Sequence, residues 1–274
     1  LLSACMISTA LTASAMAAPD LSGKRVIFVA CGPSNPWCKT FNDRVVALLK
    51  DAKIDVKVLE NDLDPIQVNQ QMAQATAESP DLVIVLPADD KSLVAAVKKA
   101  KAAGVNVMYL DSPAGEAIID DIAVNVIADN YALGKFAGEN IVDALKAQGR
   151  TEANVISITG SAGTAMVEDR QRGFVDALAA TPEYKIVETH ATNWDPVESG
   201  RIAQQLFAKY ASQGGIQAVR ADADYMAIPV LEAARQAGLE VGAKGVIVSG
   251  STCTPEGIAA IKAGDMVGTA TADA

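Results

Sequence analysis

The stretch VISITGSAGTAMVEDRQRGF, residues 155–174, decides the fold. It opens on an apolar run rich in β-branched residues, the composition of a strand buried on both faces. Gly160-Ser161-Ala162-Gly163 makes a turn, and Thr164 is placed to cap a following helix through its hydroxyl. Val167, Phe174 and Leu178 then recur at helical spacing, which gives an amphipathic helix lying on the sheet. Arg170 falls three residues after Val167 and four before Phe174, so it lies on the apolar face in the first turns. A charge there needs a partner. Its guanidinium is expected over the carboxyl end of the strand, where open α/β sheets take their ligands. Arg172 points elsewhere and reads as ordinary surface.

The same alternation extends in both directions. Ahead of this stretch, strands are expected at 24–31, 54–60, 81–87 and 105–111, with helices at 37–53, 66–77 and 91–103. Residues 122–128 add a strand with no helix before it, and Asp129-Asn130 is placed to cap a long helix running to 147. Behind it, strands at 184–189, 216–220, 245–249 and 266–270 alternate with helices at 197–210, 226–237 and 255–263. Strands and helices in this rhythm are joined by right-handed parallel crossovers. The fold class is therefore α/β, with two doubly wound, Rossmann-like parallel-sheet domains, at 23–128 and 129–271. The halves share a rhythm, but no clean sequence repeat.

Length and composition agree. A chain of 274 residues can fill two domain cores. Half of it is hydrophobic but only 4% is aromatic, an Ala- and Val-rich balance that suits helices packed on parallel sheets. A formal charge of −10 without basic clusters argues against nucleic acid and anionic membranes as partners. It says nothing about a ligand's charge.

No charge precedes Asp20, and Ala15-Met16-Ala17 forms an A-x-A site before Ala18. Residues 1–17 thus read as the apolar and cleavage regions of a secretory signal lacking its basic front. A buried N-terminal helix is one alternative. A lipoprotein signal at Leu2-Ser3-Ala4-Cys5 is another, ranked lower because the apolar run continues past Cys5. No other segment approaches the length of a membrane span. Cys31, Cys38 and Cys253 remain after such cleavage. Cys31 and Cys38 flank one turn and are a candidate disulfide, whose geometry a sequence cannot supply. With His190 the one histidine and no close cysteine pair, no metal and no cofactor is expected.

The turn Gly160-Ser161-Ala162-Gly163-Thr164 and the run Arg170-Gln171-Arg172-Gly173-Phe174 together resemble the second domain of the periplasmic sugar-binding proteins of the ribose-binding type. There a strand, a G-x-x-G-T turn and a helix ending R-x-x-G-F recur together. The resemblance runs from about Lys24 to the end of the chain. It implies two lobes joined by a hinge with the ligand cleft between them, and an Arg170 that holds a sugar hydroxyl. In that family the chain returns to the first domain after the strand matching 266–270. None of that return is present, so the sequence is expected to lack both ends.

The resemblance also assigns site residues. Ser34-Asn35-Pro36-Trp37 matches a loop in which Asn35 would bond a hydroxyl and Trp37 would stack on the sugar's apolar face, where C–H groups suit a π-surface. Core packing is the competing reading for Trp37. Cys38 stands where a second aromatic is common. Asp111, ending VMYLD, can accept from two adjacent hydroxyls; capping a turn is its alternative. The family's usual next Arg is Ser112 here. Trp194 matches an aromatic on the rim of the second domain. His190, nearby, reads as a surface or hydrogen-bonding residue. In Asp222-Ala223-Asp224 the family's sugar-binding Asn is replaced by Ala223; Asp222 is the candidate substitute, and Asp224 reads as a helix cap. Ser251 and Thr252 stand where the family has an aromatic and a ligand-binding Asp, and Thr252 is retained as a candidate contact. Ala272 stands at the family's hinge Gln.

Three functions compete. An exported solute-binding protein of an ABC importer would close two lobes on a small polyhydroxylated ligand, a sugar or polyol, and present the closed form to a membrane permease. This reading is preferred, with the protein periplasmic, monomeric and not an enzyme. A regulator or sensor of the same fold, of the lac-repressor type, would need a helix-turn-helix front where this chain has an apolar one. An enzyme lacks obvious machinery: Gly160–Gly163 is no P-loop, no G-x-S-x-G elbow occurs, and there is no second histidine for a relay.

Overall fold

The computed structural model describes residues 20–89 and 91–271. The expected signal at 1–17 and the hinge position Ala272 lie outside the described residues. Two all-parallel sheets form the frame. The first lobe carries β1 (Arg25–Cys31), α1 (Pro36–Asp51), β2 (Asp55–Asn61), α2 (Pro65–Ala77), β3 (Leu82–Val85), α3 (Val94–Ala102), β4 (Asn106–Leu110) and β5 (Val124–Val126), in the sheet order β2-β1-β3-β4-β5. The chain then crosses into α4 (Asn130–Ala147). The second lobe continues with β6 (Ala153–Thr159), α5 (Ala165–Leu178), β7 (Tyr184–Ala191), α6 (Pro196–Tyr210), β8 (Ala218–Ala221), α7 (Asp224–Gln236), β9 (Ile247–Ser249) and α8 (Pro255–Ala263), in the order β7-β6-β8-β9.

Each sheet reverses its strand order beside its first strand, between β1 and β3 and between β6 and β8. Loops leaving opposite sides of such a switch point open a crevice at the carboxyl ends of the strands. The two crevices face each other.

Strand alternation explains the double-sided cores. In β1, Ile27 and Val29 face α2 and α3, where Val68, Met72 and Val97 meet them. Val26, Phe28 and Ala30 face α1. In the second lobe, Ile156 and Ile158 pack toward α6 and α7, and Val155 toward α4 and α5. Both faces of each sheet are covered, which is why the strands read as continuous apolar runs.

The two lobes repeat a local device after their second strands. Asp64 caps α2 by accepting from the Ile66 and Gln67 amides at 2.8 and 3.0 Å. Asp195 caps α6 by accepting from Val197 and Glu198 at 2.7 and 3.2 Å. In each, Pro occupies the first helical position, where its missing N–H is no loss.

Several local expectations need correction. Thr164 precedes α5 but makes no cap; its hydroxyl donates to the Ser161 carbonyl at 2.9 Å and tightens the turn instead. Residues 266–270 form no full strand: Val267 bonds Val248, and Gly250 and Thr252 bond Gly268 and Ala270, along the end of β9. The expected strand at 122–128 is only the three-residue β5, entered from a 3₁₀ turn at Ile119–Asp121.

Candidate ligand-binding cleft

Arg170 is positioned by an unusually close pair of helices. A Cβ at Gly134 of α4 would fall 1.8 Å from the Arg170 carbonyl oxygen, and one at Gly173 of α5 would fall 2.1 Å from that of Tyr131. The two backbones therefore touch, and only glycine permits it. From this seat the buried Arg170 side chain runs to the carboxyl end of the sheet. Its Nε donates to Asn130 Oδ1 at 2.8 Å, one terminal nitrogen donates to the Asp222 carbonyl at 2.9 Å, and its guanidinium lies over the Trp194 ring. Arg172, on the other side of the helix, pairs with Asp169 in solvent.

The crevices join into one cleft of about 880 Å³, within the size range of small-molecule sites. From the first lobe Asn35, Trp37, Asp62 and Asp111 line it; from the second, Arg170, Trp194, Tyr225 and Thr252. The cleft loops hold strained backbone. Leu63, Asp111, Asn193, Trp194 and Thr252 all have φ between 51° and 97°. Such conformations cost energy at non-glycine residues and cluster at functional sites.

Asp111 directly follows β4, with its amide bonded to the Val126 carbonyl at 2.8 Å. Its carboxyl faces the cleft. Burial pushes it up to about 6, with the Arg170 charge across the cleft pulling against that. A group held this way is poised to receive a donor.

The aromatic residues sit on opposite sides. Trp37 stacks on Phe41 at 4.6 Å between centroids, with 14° between planes. It also packs against the cores of both lobes, so the core and lip readings both describe it. Trp194 lies against Gly160, where a Cβ would fall 2.2 Å from its ring carbons.

Asn35 does two jobs. Its Oδ1 caps α1, accepting from Trp37 and Cys38 at 2.9 and 3.4 Å. Its Nδ2 donates across the cleft to the Tyr225 hydroxyl at 3.0 Å. Tyr225 went unread in the sequence; an aromatic at a helix start carries no sign of a partner 190 positions away. Burial pushes its phenol up to about 12, keeping it a neutral hydroxyl. Asp62 was also unread.

Asp222 is not brought to the cleft. Its carboxylate turns inward, pairs with the equally buried Arg220 and accepts the Gly160 amide at 2.9 Å. Arg220 in turn donates to Ser157 Oγ at 3.0 Å and Gln171 Oε1 at 2.9 Å. The buried guanidinium needs an anion, and Asp222 supplies it. Only the backbone of Asp222 serves the site, through its carbonyl to Arg170. Asp224 does not cap α7 either. Its Oδ2 accepts the Thr254 amide and the Thr269 hydroxyl, both at 2.9 Å, and ties the start of α7 to the last loops. Burial pushes its carboxyl up to about 6 as well.

Cys31 and Cys38 are joined as a disulfide with Cα atoms 5.6 Å apart, and both line the cleft. Among the described residues no cluster of His, Cys, Asp and Glu could hold a metal ion, and no helix is long and apolar enough to cross a membrane.

Comparison with known proteins places this architecture. The periplasmic binding protein domain family matches residues 26–274, and the chain belongs to it. The ribose import binding protein of Salmonella typhimurium is 28% identical over 98% of this chain and 84% of its own length. The myo-inositol binding protein of Caulobacter, solved with myo-inositol bound, superposes with a TM-score of 0.82 at 27% identity, covering 92% of this chain and 82% of that one. A galactofuranose binding protein gives 0.83 at 20% identity, covering 89% and 81%, which speaks to the fold.

Proposed function

We propose that this chain is the exported solute-binding component of an ABC importer and holds a small polyhydroxylated ligand, a sugar or polyol, between its two lobes. The observation that carries the reading is the pairing of Asp111 and Arg170, one from each lobe, facing a single cleft with a tryptophan on either side. A carboxylate accepts from adjacent hydroxyls, a guanidinium donates to hydroxyl or ring oxygen, and indole faces take C–H surfaces. Binding both halves at once favours the closed arrangement, which a membrane permease can then distinguish from the open one. Names among the relatives support the class: they include ribose, D-apiose and xylitol binding proteins. In this reading the protein works in the periplasm as a monomer, releases its ligand unchanged, and is cleaved before Ala18.

The test is calorimetric titration with D-ribose, D-allose, D-apiose, xylitol and myo-inositol, together with native mass spectrometry of the purified protein. One-to-one binding in the micromolar range or tighter is expected for at least one of these or for a co-purified polyol. Silence across the panel with an empty native spectrum would refute the ligand class. A product different from the added sugar would refute the non-enzymatic reading.

A further inference from the structure

The Cys31–Cys38 disulfide closes a short ring at the carboxyl end of β1. Inside the ring lie Gly32, Pro33, Ser34, Asn35, Pro36 and Trp37. Asn42 of α1 pins its base, donating to the Cys31 carbonyl at 2.8 Å. The ring thus carries both groups with which this loop reaches the second lobe: the Asn35 amide on the Tyr225 hydroxyl, and the Trp37 ring against the second lobe's core. Both half-cystines are almost wholly buried, at 1% and 0% exposure, although they line the cleft. A reductant must therefore enter by way of the cleft, which closed lobes obstruct.

We propose that this disulfide couples lobe closure to thiol redox state. With the bond formed, the loop is held where Asn35 and Trp37 meet the second lobe. With the bond open, the ring gains conformational freedom and the closed arrangement loses population. Linkage makes the effect reciprocal: closure that is favoured by the disulfide must in turn resist its reduction. The redox step needs an external dithiol. One of its thiolates attacks a cystine sulfur to give a mixed disulfide and a cysteine thiolate, which takes a proton. The second thiolate then displaces the remaining protein sulfur. Two electrons pass to the protein, leaving two cysteine thiols and the cyclic disulfide of the dithiol.

The inference rests on the closing-cleft reading above, but its test uses no sugar, so failure to find a ligand leaves it standing or falling by itself. The probe is dithiothreitol on the full chain, with alkylation and mass measurement to count thiols at Cys31 and Cys38. Reduced protein with native far-ultraviolet circular dichroism should scatter X-rays with a larger radius of gyration than the oxidised form. Superimposable scattering curves would overturn the proposal. If reduction instead abolishes the native spectrum, Tyr225→Phe decides, because it keeps the disulfide and removes the cross-lobe acceptor. Its disulfide should then be reduced at least threefold faster than that of the parent at the same dithiothreitol concentration, and an unchanged rate would overturn the coupling.

Discussion

The guanidinium of Arg170 lies 5.4 Å from the centroid of the Trp194 ring, with Arg170 on a helix and Trp194 on a strained loop of the same lobe. Stacking of this kind orients both partners. It leaves a flat cation-and-aromatic wall opposite Asp111. Removing either side of that wall has distinct consequences.

Arg170→Ala and Asp111→Ala should each weaken binding of the sugar identified by titration at least tenfold, the equivalent of about 1.4 kcal/mol. Only the arginine variant should also lose stability, by about 1–3 kcal/mol, because Asn130 Oδ1 loses its partner and the Asp222 carbonyl keeps only the Ser251 hydroxyl. Calorimetry and urea melts measure the two effects separately. Wild-type affinity in both variants would mean the cleft is wrongly assigned.

The raised Asp111 carboxyl sets a pH dependence. In the empty cleft its proton is held up to about pH 6, so its charged form disfavours the fold, and its contribution to stability falls as pH rises from about 4 to 6. A hydroxyl donor favours the carboxylate and lowers that value. Affinity should therefore fall below pH 6, by up to about tenfold per unit, and binding there should release a proton. Titrations at pH 5.5 in two buffers of different ionisation enthalpy report that proton. Asp111→Asn should flatten the profile; a dependence that persists would instead belong to Asp224, the other carboxyl near 6.

Trp37 and Trp194 are the chain's two tryptophans, so emission reads these positions alone. Ligand-driven closure should shift it, and Trp37→Phe and Trp194→Phe should each remove part of the shift. A ligand that binds by calorimetry while emission stays still in all three proteins would place both rings outside the moving cleft.

Asp222→Ala should act on folding, with a loss of about 3–5 kcal/mol in urea, because the Arg220 charge would remain buried and unpaired. A variant with parental stability and reduced affinity would instead return Asp222 to the ligand.

What the sequence could express was local. Arg170's placement three residues after Val167 and four before Phe174 revealed a charge on an apolar face, and the charge did run to the strand end. Alternating strands and helices likewise announced parallel sheets. Partnerships over long separations left no such trace. Nothing near Asp222 marks Arg220 as inward-facing in a strand buried on both sides, so a free carboxylate was a fair reading of its loop. Tyr225 and Asn35 meet only because two lobes are brought together, and no periodicity records that. Thr164 had the right residue type and position for a cap. It failed because the tight turn before it offered the Ser161 carbonyl.

Gly160 and Trp194 also bear on how such a cleft can change. The ring occupies the space that any side chain at position 160 would need. The Trp194 ring can hold this position only while residue 160 lacks a side chain; with a larger residue there the ring must move. The two positions are coupled, so Gly160→Ala should displace the Trp194 ring and with it that rim of the cleft.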